Sequence, residues 1–172
     1  MNSLWTNNIK RFFILILIQI LVLKRINIGW GDLNYIHFFI YPLFILLVPL
    51  KIQRSFLLIL AFFTGLFLDM FYDSPGLHSS SLVFMAFMRN YILKFLEPRD
   101  GYKIEMTPTI YNFGFNWFLI YSSILVFLNI FWYFSVEAFS FLYFPEIILK
   151  TIFSFIFSEV LIVLYVVILN PK

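Results

Sequence analysis

Six apolar runs alternate with short polar interruptions along the chain, at residues 9–23, 36–50, 55–72, 77–96, 110–134 and 147–169. Each reads as a helix, because a segment surrounded by hydrocarbon must satisfy its own backbone hydrogen bonds. The last four are long enough for a bilayer that needs about 20 apolar residues. The first two are shorter, and the second, "IHFFIYPLFILLVPL", contains Pro42 and Pro49, each of which removes a backbone donor. The only polar connection of any size is "EPRDGYKIEMTP" at 97–108, and no repeat or separate soluble module intervenes. The pattern predicts an all-α integral membrane protein, one transmembrane domain over 1–172. Its form would be a compact bundle of six helices whose second member is short and Pro-containing.

Composition removes the soluble alternative. Of 172 residues 62% are hydrophobic and 12% charged, against about half and about a quarter in a soluble domain, so lipid must surround most of the chain. The absence of Cys excludes disulfides and thiolate metal sites. Nucleic acid is excluded as a partner, since the net charge of +3 includes no basic run beyond Lys10-Arg11 and Lys24-Arg25. The basic, apolar start resembles a signal peptide. With no small-x-small cleavage site after it, it reads as a retained first span.

Loop charges orient the bundle, because Lys and Arg accumulate on the cytoplasmic side. With six spans and the N-terminus inside, the inner side holds Lys10, Arg11, Lys51, Arg54, Lys94, Arg99, Lys103 and Lys172, and the outer side Lys24, Arg25 and Lys150. If the second run only dips in and the N-terminus is outside, Lys24 and Arg25 replace Lys10 and Arg11 and the balance is unchanged. Both versions place the 72–77 loop outside and the 97–108 loop inside. The unbroken apolarity of 36–50 favours six.

Polar residues inside the runs are the informative ones, since burying them costs free energy unless they find partners. Ala61, Gly65 and Asp69 stack on one helical face, the first two forming a small-xxx-small contact pattern that ends in a carboxylate. The turn "DSPG" follows. Ser74 and Pro75 read as the N-cap and first residue of the fourth helix, ahead of Gly76. Its positive end, with His78, Ser79 and Ser80, would then sit beside Asp69. On this reading Asp69 fastens the hairpin between the third and fourth helices, and Asp69→Asn should be mild; a proton-relay, ion-binding or partner-contacting acid is the alternative. Arg89 and Glu159 lie at matched depth, about 18 Å in, which predicts either an interhelical pair or an Arg89 that snorkels to the inner interface. Asn112, Asn116 and Ser123 share one face, as do Thr151, Ser154 and Ser158, and predict interhelical hydrogen bonds. The aromatics at 131–145 read as a belt at the outer interface.

Enzymatic chemistry finds little support. His37 and His78 stand far apart without companion ligands at metal spacing, and no P-loop, GxGxxG or GxSxG motif occurs. Neither cofactor nor catalytic residue is expected.

The segments "IQILVL", "YPLFILLVPL" and "GLFLDMFYDSPGLHSSSLVFMAFMR" resemble, in order and spacing, the rod shape-determining protein MreD family in its Bacteroidetes-type form. The resemblance is strongest over 41–89, and its most specific element is Gly65, Asp69 and the stretch from Ser74 to His78. It implies a multi-pass, non-catalytic inner-membrane scaffold of the cell-elongation machinery. The implied partners are an MreC-like bitopic protein and, through it, an MreB-like filament and the peptidoglycan polymerase and transpeptidase. The same architecture resembles the S subunits of energy-coupling-factor transporters, which makes a small-molecule-binding subunit of a vitamin-type transporter the alternative. Against that stands "FFILILIQILVL", which lacks the small residues such subunits carry on their first helix.

Overall fold

The structure is a computed structural model that describes residues 2–26, 28–30, 33–50, 52–99, 101–102, 106–139 and 141–169. Helix α1 (Asn2–Leu21) leads through one 3-10 turn into a small antiparallel hairpin, β1 (Ile28–Trp30) and β2 (Leu33–Ile36). A short α2 (Pro42–Leu47) follows, then α3 (Arg54–Tyr72), α4 (Leu77–Phe95), a single turn α5 (Ile110–Phe113), α6 (Phe115–Ala138) and α7 (Phe144–Leu169). Among the described residues three helices, α3, α6 and α7, are long and apolar enough to cross a membrane. Their outer faces carry large apolar side chains such as Phe63, Phe67, Phe153 and Val160, all exposed to the surroundings, as lipid-facing residues are. The chain is therefore a helical membrane protein.

Helix packing follows chain order: α3 lies on α4, α4 on α6 and α6 on α7, while α1 touches α2 and the end of α3. At the centre stands the second apolar run, and here the expectation of a helix over 36–50 is corrected. Only Pro42–Leu47 is helical, with Pro42 in its first turn. Val48 takes an extended conformation (φ −60°, ψ 138°), as a residue before proline is biased to do, and Pro49 ends the helix. Residues 37–40 belong to no helix or strand, yet residues 39–48 are all buried.

Buried extended backbone must find partners outside itself. Side chains from two helices provide them. Ser154 Oγ of α7 accepts from the amide of His37 at 2.9 Å, and Ser158 Oγ accepts from that of Phe39 at 2.9 Å. Gln19 of α1, 1% exposed, does the same from the other side: its Oε1 accepts from the Ile40 amide (2.9 Å) and its Nε2 donates to the Phe38 carbonyl (2.8 Å) and to the Tyr72 hydroxyl (2.7 Å). Thr151, Ser154 and Ser158 do share the buried face of α7, but Ser154 and Ser158 hold this extended segment. Broken in this way the run still traverses the bundle. His37 rests on the Phe134 ring and Leu46 is bonded to Tyr121, a separation of about 20 Å along α6. Leu50 then donates to the carbonyl of Met106 at 3.1 Å.

The fifth run also divides. Gly114, at φ 85° and ψ 165°, separates α5 from α6, a conformation that costs any other residue several times more. Asn112, on the far side of the break, donates its amide to the Thr107 carbonyl at 2.8 Å and not to another helix, whereas Ser123 makes the expected interhelical bond, to Glu159 of α7 at 3.3 Å. Helix α1 begins at Asn2, seven residues before the expected start at 9, and the remaining helix ends fall within a few residues of expectation. Of the residues that orient the bundle, Lys51, Lys103 and Lys172 lie outside the described residues, as do 100 and 103–105 of the 97–108 loop. In the described part of that loop Tyr102 donates to the Leu93 carbonyl at 2.7 Å. Burial, with the charge of Glu97 adding, pushes the Tyr102 phenol up to about 12, so the donor proton is kept at any physiological pH.

Gln19→Leu removes three of these bonds and leaves the Ile40 amide and Phe38 carbonyl unsatisfied. It should cost about 2–4 kcal/mol, against about 1–2 for Ser154→Ala or Ser158→Ala, read from thermal unfolding in detergent. Equal, negligible effects of all three would contradict this role.

Candidate functional site

The hairpin of α3 and α4 places two of the singled-out groups together. Asp73 ends α3 in the left-handed conformation (φ 52°), and Gly76 precedes α4 with φ 90°. The expected N-cap at Ser74 with Pro75 as first helical residue is corrected: α4 starts at Leu77, with Gly76 at its cap position and no capping side chain of its own. The acceptor comes from the neighbouring helix instead. Asp69, 4% exposed, receives the amide of His78 at 2.9 Å and His78 Nδ1 at 3.0 Å on Oδ1. Its Oδ2 receives the amides of Ser79 at 3.1 Å and Gly76 at 3.2 Å. Ser74 Oγ, freed from capping, donates to Oδ1 at 3.3 Å. A carboxylate thus caps a helix that it does not belong to, and the orphan amides of α4 are satisfied by a full negative charge.

Small residues permit this geometry. Ala61 and Gly65 are buried on the same face of α3 as Asp69, and a Cβ added at Gly65 would stand 2.2 Å from the Cα of Ser79. Backbone meets backbone one turn below the carboxylate, which sets the distance over which Asp69 reaches the amides. His78 is fully buried and ringed by aromatic side chains, with Tyr72, Tyr133 and Tyr41 centroids at 4.6, 4.9 and 5.5 Å. Its Nε2 has no hydrogen-bond partner. Lys24, over the Tyr72 ring at 5.3 Å, donates to the Phe71 carbonyl and so meets the negative end of α3.

Arg89 and Glu159 do not come together. Arg89 is 0% exposed, which corrects the snorkelling reading, and its Nε donates to the Tyr121 hydroxyl at 2.9 Å while Nη2 donates to the Val48 carbonyl. Tyr121 in turn donates to the Leu46 carbonyl at 3.1 Å. Cation and phenol together serve the carbonyl end of α2, where a proline has removed the next helical turn. Glu159 is held elsewhere, its Oε1 accepting from Ser122 at 2.5 Å and Ser123 at 3.3 Å. Helix α6 stands between the two charges, presenting Tyr121 to one and Ser122 to the other. The pairing expectation therefore fails because matched depth says nothing of which helix lies between.

Gln19, Tyr121, Ser122 and Tyr72 are participants that the sequence reading passed over. For Gln19 a signal existed, since it is the sole polar residue between Phe12 and Leu23. Tyr121 and Ser122 carried none, because in an aromatic-rich helix a tyrosine that serves a carbonyl looks like any other. Compared with known proteins, the chain matches no family model, no curated protein and no solved structure.

Both Asp69 oxygens are used by backbone donors, so the expectation that Asp69→Asn is mild is revised: the amide NH2 would face the N–H groups that one oxygen now accepts. Asp69→Asn and Asp69→Ala should both cost about 2–4 kcal/mol, and Gly65→Ala at least as much, in thermal unfolding. An unaltered Asp69→Asn would contradict the two-oxygen geometry. In double-mutant cycles Arg89→Met with Tyr121→Phe should be strongly non-additive, by about 1 kcal/mol or more. Arg89→Met with Glu159→Gln should add within about 0.5; the reverse order would restore a direct charge pair.

Proposed function

We propose that the protein is a non-catalytic scaffold of the bacterial rod-shape machinery, similar to the MreD family. It sits in the cytoplasmic membrane as six crossings, the second a broken and partly extended one. The observation that carries this reading is the use made of the embedded charges. Asp69 joins α3 to α4, Arg89 joins α4 to the broken crossing, and Glu159 joins α7 to α6. Each is a fixture between elements of one chain, as suits a part whose outward faces do the work. The faces in question carry exposed apolar side chains such as Phe63, Phe67, Phe153 and Val160, and lateral helix contact in a bilayer depends on the shape of such faces.

The orientation that goes with it has the 72–77 turn outside and the 97–108 loop inside, reaching an MreC-like bitopic protein laterally and an MreB-like filament and the peptidoglycan polymerase and transpeptidase through it. Coexpression with that single-span partner, followed by purification through a tag on the bundle, tests the reading. Comparable amounts of the two proteins should elute together, and cells depleted of the bundle should lose rod shape. Elution with an ATPase module, or with a tightly held vitamin, would replace the scaffold by the transporter subunit.

A further inference from the structure

Where α6 ends and α7 begins lie two openings that share Ile147 as a wall. One faces the hydrocarbon. It is a groove of about 410 Å³ lined by Phe131, Trp132, Val136, Phe139, Phe144 and Ile147. The hydroxyl of Ser135 also reaches it but is already donated to the Phe131 carbonyl at 2.7 Å. Trp132 is fixed against Phe84 of α4, with ring centroids 4.3 Å apart, so the wall is rigid. Phe139, 91% exposed, stands at the rim with its backbone in the left-handed region (φ 44°), a conformation that bulky residues rarely hold. Beyond the Ser135 hydroxyl and the Trp132 indole the lining is apolar. A hydrocarbon chain fits it.

The second opening, about 250 Å³, lies beside Glu137, Tyr143, Glu146 and Lys150. Lys150 is bonded to Glu146 at 2.9 Å, and among the described residues Glu137 has no ion pair. Glu137 is one residue from the end of α6, while Phe131 is six residues deeper, about 9 Å along the helix. The groove thus begins at Val136 and Phe139, level with the Glu137 carboxylate, and runs inward to Phe131, a carboxylate beside the mouth of an apolar slot, which is the polarity profile of an amphiphile whose head is cationic.

We propose that the outer ends of α6 and α7 bind one phospholipid whose headgroup carries a primary ammonium, with an acyl chain in the groove and the ammonium on Glu137. The proposed topology decides only which leaflet supplies the lipid. The site itself belongs to the chain alone, so its test is made without any partner.

The full chain, purified in detergent and incubated with phosphatidylethanolamine, phosphatidylglycerol or diacylglycerol, is to be compared by native mass spectrometry. One equivalent of phosphatidylethanolamine should be retained at least about tenfold better than phosphatidylglycerol. Glu137→Gln, at an exposed position, should abolish that preference while leaving the chain folded. Val136→Trp should fill the groove and remove retention of all three lipids, whereas Val160→Trp, on the lipid-facing side of α7, should change nothing. Equal retention of the two phospholipids, or indifference to both Glu137→Gln and Val136→Trp, would overturn the proposal. None of these results bears on whether the bundle elutes with a cell-shape partner.

Discussion

A backbone amide or carbonyl in hydrocarbon has no water to turn to, and most of this protein's polar architecture follows from that constraint. Regular helices meet it internally. The segment at 37–50 cannot, because Pro42 and Pro49 confine its helix to six residues and leave extended chain on either side. The bundle supplies the missing partners from α1, α4, α6 and α7: Gln19, Ser154 and Ser158 at one end of the segment, Arg89 and Tyr121 at the other. A buried guanidinium is expensive, and here its cost is offset by carbonyls that would otherwise be orphaned at the end of a helix, where their partial charges favour a cation.

The same rule explains Asp69. Helix α4 begins beneath the surface of the bundle with no capping side chain of its own, so its first amides need an acceptor from outside. Gly65 brings α3 close enough for Asp69 to provide it. The hairpin of α3 and α4 and the broken segment at the centre are thus two solutions to one problem. They are connected through aromatic contact: Tyr72 links Gln19 to the His78 ring, and Tyr41 packs on that ring from the start of α2. A disturbance at Gln19, Ser154, Ser158 or Asp69 removes a partner from backbone that has no substitute.

Much of this was legible in the letters. Six apolar runs, the acid one turn above Gly65 and the turn after Tyr72 all point to a membrane bundle and to a carboxylate facing the start of α4. What hydropathy could not convey is conformation inside an apolar run. "IHFFIYPLFILLVPL" has the same mean character whether helical or extended, and only the pairing of its amides with serines more than a hundred residues away decides. Depth along a helix was readable for Arg89 and Glu159, but azimuth was not, and azimuth separates them across α6. The N-cap assigned to Ser74 went wrong for a related reason: a capping acceptor from another helix leaves no local motif.

Amide hydrogen–deuterium exchange of the detergent-solubilised chain tests this constraint most directly. The amides of His37, Phe39 and Ile40, which sit in no helix or sheet, should exchange as slowly as those in the middle of α6, and Ser158→Ala should accelerate Phe39 while leaving α6 unchanged. Exchange of the three amides at the rate of an open loop in the unaltered protein would mean that the segment is solvated, and the central claim would fall.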